Sequence, residues 1–238
     1  MIYDVFLFDL DDTLFDFSET EKRAFAYTFE AHGFSNGLKD YRASYKTISK
    51  VLWDDLEQGR ISLKELKTER FKRLFMHHNL DMDADVFGQT YLENLGKEVH
   101  LINGVTEMLA SLKGCKLAIL TNGFKDVQLA RIDGSVLKNS FEAIITSEEA
   151  GYQKPQTEIF EYTFNKLQLT SKSRVLMIGD SLSSDIQGGN NFGIDTCWFN
   201  PQQKKNSTTA IPTYEIQNWS EFNFIGESGW TRIVEKSL

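Results

Sequence analysis

Val5-Phe6-Leu7-Phe8-Asp9-Leu10-Asp11-Asp12-Thr13-Leu14 stands near the start of the chain. Four apolar residues bounded by a cluster of acids predict a buried strand that stops at a polar edge. Side chains alternate along a strand, so an extended chain sends Asp9 and Asp11 from one face toward one spot. Two carboxylates held that close repel each other unless a cation or a shared proton is present. The stretch therefore asks for Mg²⁺, for unequal proton affinities, or for both. Asp12 faces the opposite way on an extended strand and is expected only to shape the turn that follows.

Working outward, four further apolar runs resemble this strand: Lys116–Leu120, Phe141–Ile145, Val175–Ile178 and Thr196–Phe199. Between them Val105, Met108, Leu109 and Leu112 make one helical stripe, and Ile159, Phe160, Thr163, Phe164 and Leu167 another. Nearly continuous apolar strands alternating with amphipathic helices predict an α/β fold, a parallel sheet covered on both faces. From about Phe17 to about Leu101 that rhythm breaks. Ser18-Glu19-Thr20-Glu21 carries a capping-box signature opening a helix with Phe25 and Phe29 on one face. Helical spacing continues through Ile48, Val51, Leu52 and Leu56, then Leu63, Leu66, Leu74 and Phe75, then Val86, Leu92 and Leu95. That is too much chain for one crossover. Residues 17–101 are expected to form a helical domain inserted into a core made of 1–16 and 102–238. The stretch from Gln202 to Thr209 reads as an exposed loop, and no role is evident from Asn218 onward.

The chain has 238 residues, 41% of them hydrophobic and 25% charged, enough for a full core. A net charge of −8 argues against a nucleic-acid polymer as partner, because that affinity rests on Lys and Arg neutralising phosphates. It leaves a small phosphorylated metabolite open, since a metal and a few donors set the field inside a cleft. No apolar run approaches the ~18 residues needed to span a bilayer, and the acidic motif begins too early for a secretory leader to precede it. A cytoplasmic protein with no membrane partner is expected, and Cys115 and Cys197 are expected as reduced thiols. Nothing in the sequence fixes an oligomeric state.

Polar residues follow the strands at the ends where ligand sites of open α/β sheets collect. Thr121-Asn122-Gly123 follows the second strand, and Gly179-Asp180-Ser181-Leu182-Ser183-Ser184-Asp185 follows the fourth. Lys154 precedes a helix, kept on a loop by Pro155. Each has an ordinary use alone: a turn or cap, a solvated charge, a helix-start acid. Carboxylates, a hydroxyl and an ammonium together at strand ends point to one site.

At these residues the chain resembles the haloacid dehalogenase superfamily, whose signature is Asp-x-Asp-x-Thr, a Thr or Ser, a Lys and a final acidic motif. The four are present in order as Asp9-Leu10-Asp11-Asp12-Thr13, Thr121-Asn122, Lys154-Pro155, and Gly179-Asp180 with Asp185. The resemblance implies a Rossmann-like core whose inserted helical cap selects the substrate. It implies a Mg²⁺-dependent phosphomonoester hydrolase working through an aspartyl-phosphate, with Asp9 as nucleophile and Asp11 as general acid and then base. It implies Mg²⁺ held by carboxylates of Asp9 and Asp180 and the backbone carbonyl of Asp11. Thr121, Lys154 and backbone N–H groups near Asn122 would surround the phosphoryl oxygens, and Asp185 would orient Lys154 or a water on the metal. The Asp at position 11 separates this chain from the dehalogenases, which lack an acid there.

Residues 6–17 and the long helical stretch after them are similar to the pyrimidine 5′-nucleotidase-type branch, which implies nucleoside 5′-monophosphates as substrates. Tyr45 and Trp53 are then candidates to stack a base, although packing inside a helical bundle is the commoner use of such residues. Two other readings stay open: a sugar-phosphate phosphatase or phosphomutase of the same superfamily, and a non-enzymatic phosphoacceptor switch. Receiver domains of the latter kind place the phosphorylated Asp on a later strand and lack a helical insertion.

Overall fold

A computed structural model describes residues 3–226, with side chains through Phe222, so residues 227–238 of the expected core lie outside the described residues. The chain begins with β1 (Val5–Phe8) and continues through α1 (Phe17–Ala31), α2 (Leu38–Glu57), α3 (Leu63–His78) and α4 (Ala84–Lys97). It then runs α5 (Val105–Ser111), β2 (Lys116–Thr121), α6 (Lys125–Asp133), β3 (Ala143–Thr146), α7 (Ser147–Ala150) and α8 (Thr157–Lys166). β4 (Val175–Gly179), a π-helical turn (Leu182–Ile186), α9 (Gln187–Phe192), β5 (Asp195–Phe199), β6 (Tyr214–Ile216) and a 3-10 segment (Trp219–Gly226) complete it.

All the strands are parallel, in the order β3-β2-β1-β4-β5-β6. β1 is central, with Phe8 opposite Ile119 of β2 and Ile178 of β4. Both faces of the central strands are covered, which is why they are apolar throughout. On one face Leu7, Leu120 and Met177 pack with Ile159, Phe160 and Phe164 of α8. On the other, Phe8 meets Trp219 at 6.1 Å between ring centroids, and Trp219 stacks on Phe199 at 4.7 Å. Fully burying one such side chain contributes roughly 1.5–3 kcal/mol. The sheet has one strand more than the apolar runs predict. β6 is only three residues long and lies at the edge, too short to show a period.

The chain divides into two compact units. One comprises Met1–Asp16, Leu101–Lys125 and the chain from Ser135 on, and the other comprises Phe17–His100 and Asp126–Gly134. The second unit thus holds most of α6 besides α1–α4, a segment the sequence does not place there. Gly96 of α4 explains the close approach of α6: a Cβ there would meet Ala130 at 3.3 Å.

The capping box expected at Ser18 does not form, because α1 already includes Phe17 and the Glu21 carboxylate pairs with Arg42 at 3.2 Å. The reciprocal box is at Ser62, whose hydroxyl accepts from the Glu65 amide (3.2 Å) while the Glu65 carboxylate accepts from the Ser62 amide (2.8 Å). The core of this helical unit is aromatic. Tyr45 is 1% exposed, lies against Phe71 and Tyr91, and its hydroxyl donates to Tyr91 (3.0 Å) while accepting from Arg70 (3.2 Å). Tyr45 is therefore a packing residue with no free face for a base, whereas Trp53 on the same helix is half-buried. No helix among the described residues is long and apolar enough to cross a membrane. Cys115 and Cys197 are free thiols.

Candidate active site

The Asp9 amide donates to the Ile178 carbonyl at 2.8 Å, which prolongs the β1–β4 register one residue past the strand and fixes where its carboxylate emerges. The chain then turns sharply. The amides of Leu14 and Phe15 return to the Leu10 carbonyl (2.9 and 3.0 Å), and the Asp12 amide donates to the Phe15 carbonyl (2.7 Å). Asp12 sits at φ 57°, a left-handed conformation that Asp tolerates better than most residues, and so shapes this turn. Because β1 stops at Phe8, strand alternation does not place Asp11. The turn does, through a bridge between Asp11 and Phe15. The Trp219 indole donates to the Thr13 carbonyl at 3.2 Å and pins the same turn from the far end of the chain.

Lys154 is 1% exposed. Its Nζ donates to Asp9 Oδ1 at 2.7 Å and to Asp185 Oδ1 at 2.6 Å. The other Asp185 oxygen accepts from the Ser181 amide at 3.0 Å, so this buried carboxylate is bonded on both sides. The π-helical turn that carries Asp185 is a rare geometry that tends to occur at functional positions. Ser181 starts that turn, its hydroxyl accepting from the Ser184 amide at 3.2 Å. Asn122 clamps Lys154 by its backbone: Nδ2 donates to the Lys154 carbonyl and Oδ1 accepts from the Lys154 amide, each at 2.9 Å. Thr121 ends β2, buried, and its hydroxyl accepts from the Gly123 amide at 3.1 Å. Asp180 follows β4, and its carbonyl accepts from the Trp198 indole at 2.9 Å.

One carboxylate oxygen from each of Asp9, Asp180 and Asp185 lies within 4.8 Å of the other two. Burial pushes the Asp9 carboxyl up to about 7; Lys154 pulls it down, and Asp185 and Asp11 add to the rise. Burial, with Asp9, Asp185 and Asp12, holds the Asp180 carboxyl well above the usual range, against the field of Lys204. Burial also works against the Lys154 ammonium, but Asp185 and Asp9 outweigh it and raise its pKa. Three carboxylates converge here and the one buried ammonium pairs with only two of them, Asp9 and Asp185, leaving excess negative charge where water is scarce. A divalent cation relieves it, and the hard oxygen donors suit Mg²⁺.

The structure thus brings Asp9, Lys154, Asp180 and Asp185 into one cluster, ties Asn122 to it through Lys154, and puts Thr121 at the end of the strand beside β1. Trp198 and Trp219 are absent from any motif, and Ser181 stands in the polar run after the fourth strand without a role assigned to it. Trp198 could have been suspected, since it lies near the end of a strand next to β4, opposite Gly179; Trp219 has no local signal at all.

Residues 3–193 match the sequence model of the haloacid dehalogenase-like hydrolases. The chain is 38% identical over 223 residues to the pyrimidine 5′-nucleotidase PynA of Streptococcus pneumoniae, which covers 93% of this chain and 94% of that protein. It is 30% identical over 227 residues to the pyrimidine 5′-nucleotidase YjjG of Escherichia coli, covering 93% of this chain and 96% of that one. Among solved structures, the HAD-hydrolase YfnB of Bacillus subtilis bound to magnesium matches with a TM-score of 0.88 at 37% identity, covering 94% of this chain and 99% of that one.

Proposed function

The chain belongs to the haloacid dehalogenase-like phosphohydrolases, and from that premise we propose that it hydrolyses nucleoside 5′-monophosphates, pyrimidine nucleotides foremost. The buried contact of Lys154 with Asp9 and Asp185 carries the chemistry, and the two nucleotidase relatives support the substrate.

In the first half-reaction an Asp9 oxygen attacks phosphorus, the bond from phosphorus to the ester oxygen breaks, and Asp11 gives that oxygen its proton. The nucleoside leaves, and the phosphoryl group stays on Asp9. Asp11, now a carboxylate, takes a proton from a water whose oxygen attacks the same phosphorus. The phosphorus–Asp9 bond breaks, which frees inorganic phosphate and restores both acids. Lys154, the Thr121 hydroxyl and backbone N–H groups near Asn122 hold the phosphoryl oxygens, where the charge of the transition state lies. Asp185 and the Asn122 side chain keep Lys154 in place. A Mg²⁺ held by carboxylates of Asp9 and Asp180 and the Asp11 carbonyl would supply further charge neutralisation at those oxygens. Selection among substrates is assigned to the helical domain of residues 17–101, with Trp53 as its candidate for stacking a base.

A phosphate-release screen over UMP, CMP, TMP, AMP and sugar phosphates tests the assignment. The highest kcat/KM is expected on pyrimidine nucleotides, with activity abolished by EDTA and by Asp9→Asn. Faster turnover of sugar phosphates would overturn the substrate assignment. A phosphoprotein that forms but never turns over would overturn the hydrolytic cycle.

A further inference from the structure

One peptide group beside the carboxylate cluster is held at both of its polar ends. The Asp180 carbonyl accepts from the Trp198 indole at 2.9 Å. The Ser181 amide, the other half of the same peptide, donates to Asp185 Oδ2 at 3.0 Å. A peptide group is planar and stiff, so fixing its oxygen and its N–H fixes the whole plane. The backbone rotation of Asp180 that would swing its carboxylate away is thereby removed. From Asp185 Oδ1 the bonds continue to Lys154 at 2.6 Å, and from Lys154 to Asp9 at 2.7 Å. A line of hydrogen bonds thus joins Trp198 to Asp9 by way of the peptide that follows Asp180.

Trp198 supplies an uncharged side chain to this line. It is 3% exposed, lies opposite Gly179 in the β4–β5 register, and packs with Leu182, Ile186 and Ala210. Leu182 and Ile186 bound the π-helical turn that carries Asp185. One side chain therefore bonds the backbone of one acid and braces the turn of another. A buried indole needs an acceptor, and any nearby carbonyl would satisfy it. That need does not explain an acceptor on the very peptide whose amide Asp185 holds, one residue past the strand.

Such support matters differently to different cations. Mg²⁺ demands a near-octahedral set of oxygens at about 2.0–2.1 Å, whereas Ca²⁺ accepts more oxygens at about 2.3–2.6 Å in adaptable geometry. An acid locked before the ion arrives favours the smaller, stricter ion. An acid free to swing gives up that advantage.

We propose that Trp198 is a positioning residue that locks the Asp180 backbone and thereby sets a preference for Mg²⁺ over Ca²⁺ at this site. The role rests on the assignment of Asp180 to the metal and holds whichever alcohol the phosphate esterifies.

The test uses the whole protein, stripped of metal, with Mg²⁺ and Ca²⁺ titrated separately by calorimetry. Two changes remove the donor: Trp198→Phe, and exchange of the Trp198 indole for benzothiophene, which keeps the bicyclic shape and lacks the N–H. Each is expected to weaken Mg²⁺ binding by about tenfold or more and Ca²⁺ binding by about threefold or less, so that the ratio of the two affinities falls. An unchanged ratio, whether neither affinity moves or both drop together, would overturn the role and leave Trp198 a packing residue. A ratio that falls in Trp198→Phe but not in the benzothiophene protein would overturn it too, since shape and not the hydrogen bond would then be the cause. Asp180→Asn separates this role from the assignment beneath it. Loss of Mg²⁺ binding there, beside an unchanged ratio in the Trp198 proteins, would sink the role of Trp198 alone. Undiminished Mg²⁺ binding in Asp180→Asn would overturn the metal assignment and the role of Trp198 with it.

Discussion

Gly179 and Asp185 share one volume: a Cβ built on Gly179 would fall inside the Asp185 carboxylate. The strand end is bare so that Asp185 can lie against it, with one oxygen on Lys154 (2.6 Å) and the other on the Ser181 amide (3.0 Å). Gly179→Ala is therefore expected to expel this carboxylate and leave Lys154 half-paired. Overpacking of this kind costs about 1–3 kcal/mol of stability, and misplacing a catalytic group by about 1 Å costs roughly 100-fold in rate. Urea unfolding with steady-state kinetics on one preparation checks both, and full activity would show that Asp185 need not lie there.

Asn122 joins the loop after β2 to the loop before α8 through two bonds to Lys154, each 2.9 Å. Asn122→Ala removes both, and kcat is expected to fall by about 10- to 100-fold. Asn122→Asp keeps an acceptor for the Lys154 amide but sets a carboxylate oxygen against the Lys154 carbonyl, so it is expected to recover little. Recovery of activity in Asn122→Asp would show that the clamp is dispensable.

Folding lifts the Asp9 carboxyl from an ordinary value of about 4 to about 7. Between those values the folded protein holds more protons than the unfolded chain, so stability falls as pH rises through that window. Asp180 is raised too and steepens the fall. In EDTA, Tm is expected to drop from pH 5 to pH 7.5. Mg²⁺, which binds the deprotonated oxygens, is expected to flatten or reverse that slope. Asp9→Asn should remove much of the slope in EDTA, and an identical slope would exclude Asp9 as its source.

Trp219 packs on Phe8 and Phe199 and donates to the Thr13 carbonyl at 3.2 Å. Trp219→Ala is expected to cost about 3–5 kcal/mol. Trp219→Phe keeps an aromatic ring but loses the hydrogen bond, worth about 1 kcal/mol, and is expected to lower kcat as well, since the turn it releases carries Asp11. Chemical denaturation and kcat of the two variants separate packing from positioning.

Asp9, Lys154, Asp180 and Asp185 were legible because each follows or precedes an element whose apolar pattern is strong, and order along the chain then stands for proximity. The geometry linking them was not. The Asn122–Lys154 clamp joins loops that only the finished sheet brings together. Asp11 is placed by a turn whose hydrogen bonds leave no period in the sequence. Glu21 fits a capping box by spacing, yet Arg42 on another helix takes its carboxylate. Tyr45 and Trp53 look alike as aromatic residues of one helix, and burial alone divides them. Trp219 acts on a residue near the opposite end of the chain, a relation no local pattern encodes.

The position of β1 at the centre of the sheet has a consequence for synthesis. The strand ending at Phe8 is made first, but its neighbours begin only at Lys116 and Val175. While α1–α4 emerge, an apolar strand with two unpaired edges must wait, and such edges invite pairing with other chains. A nascent chain halted before Lys116 therefore presents a sticky leading strand beside helices already long enough to pack. Ribosome-bound lengths short of β2 are where a chaperone holding the Val5–Phe8 strand would matter most.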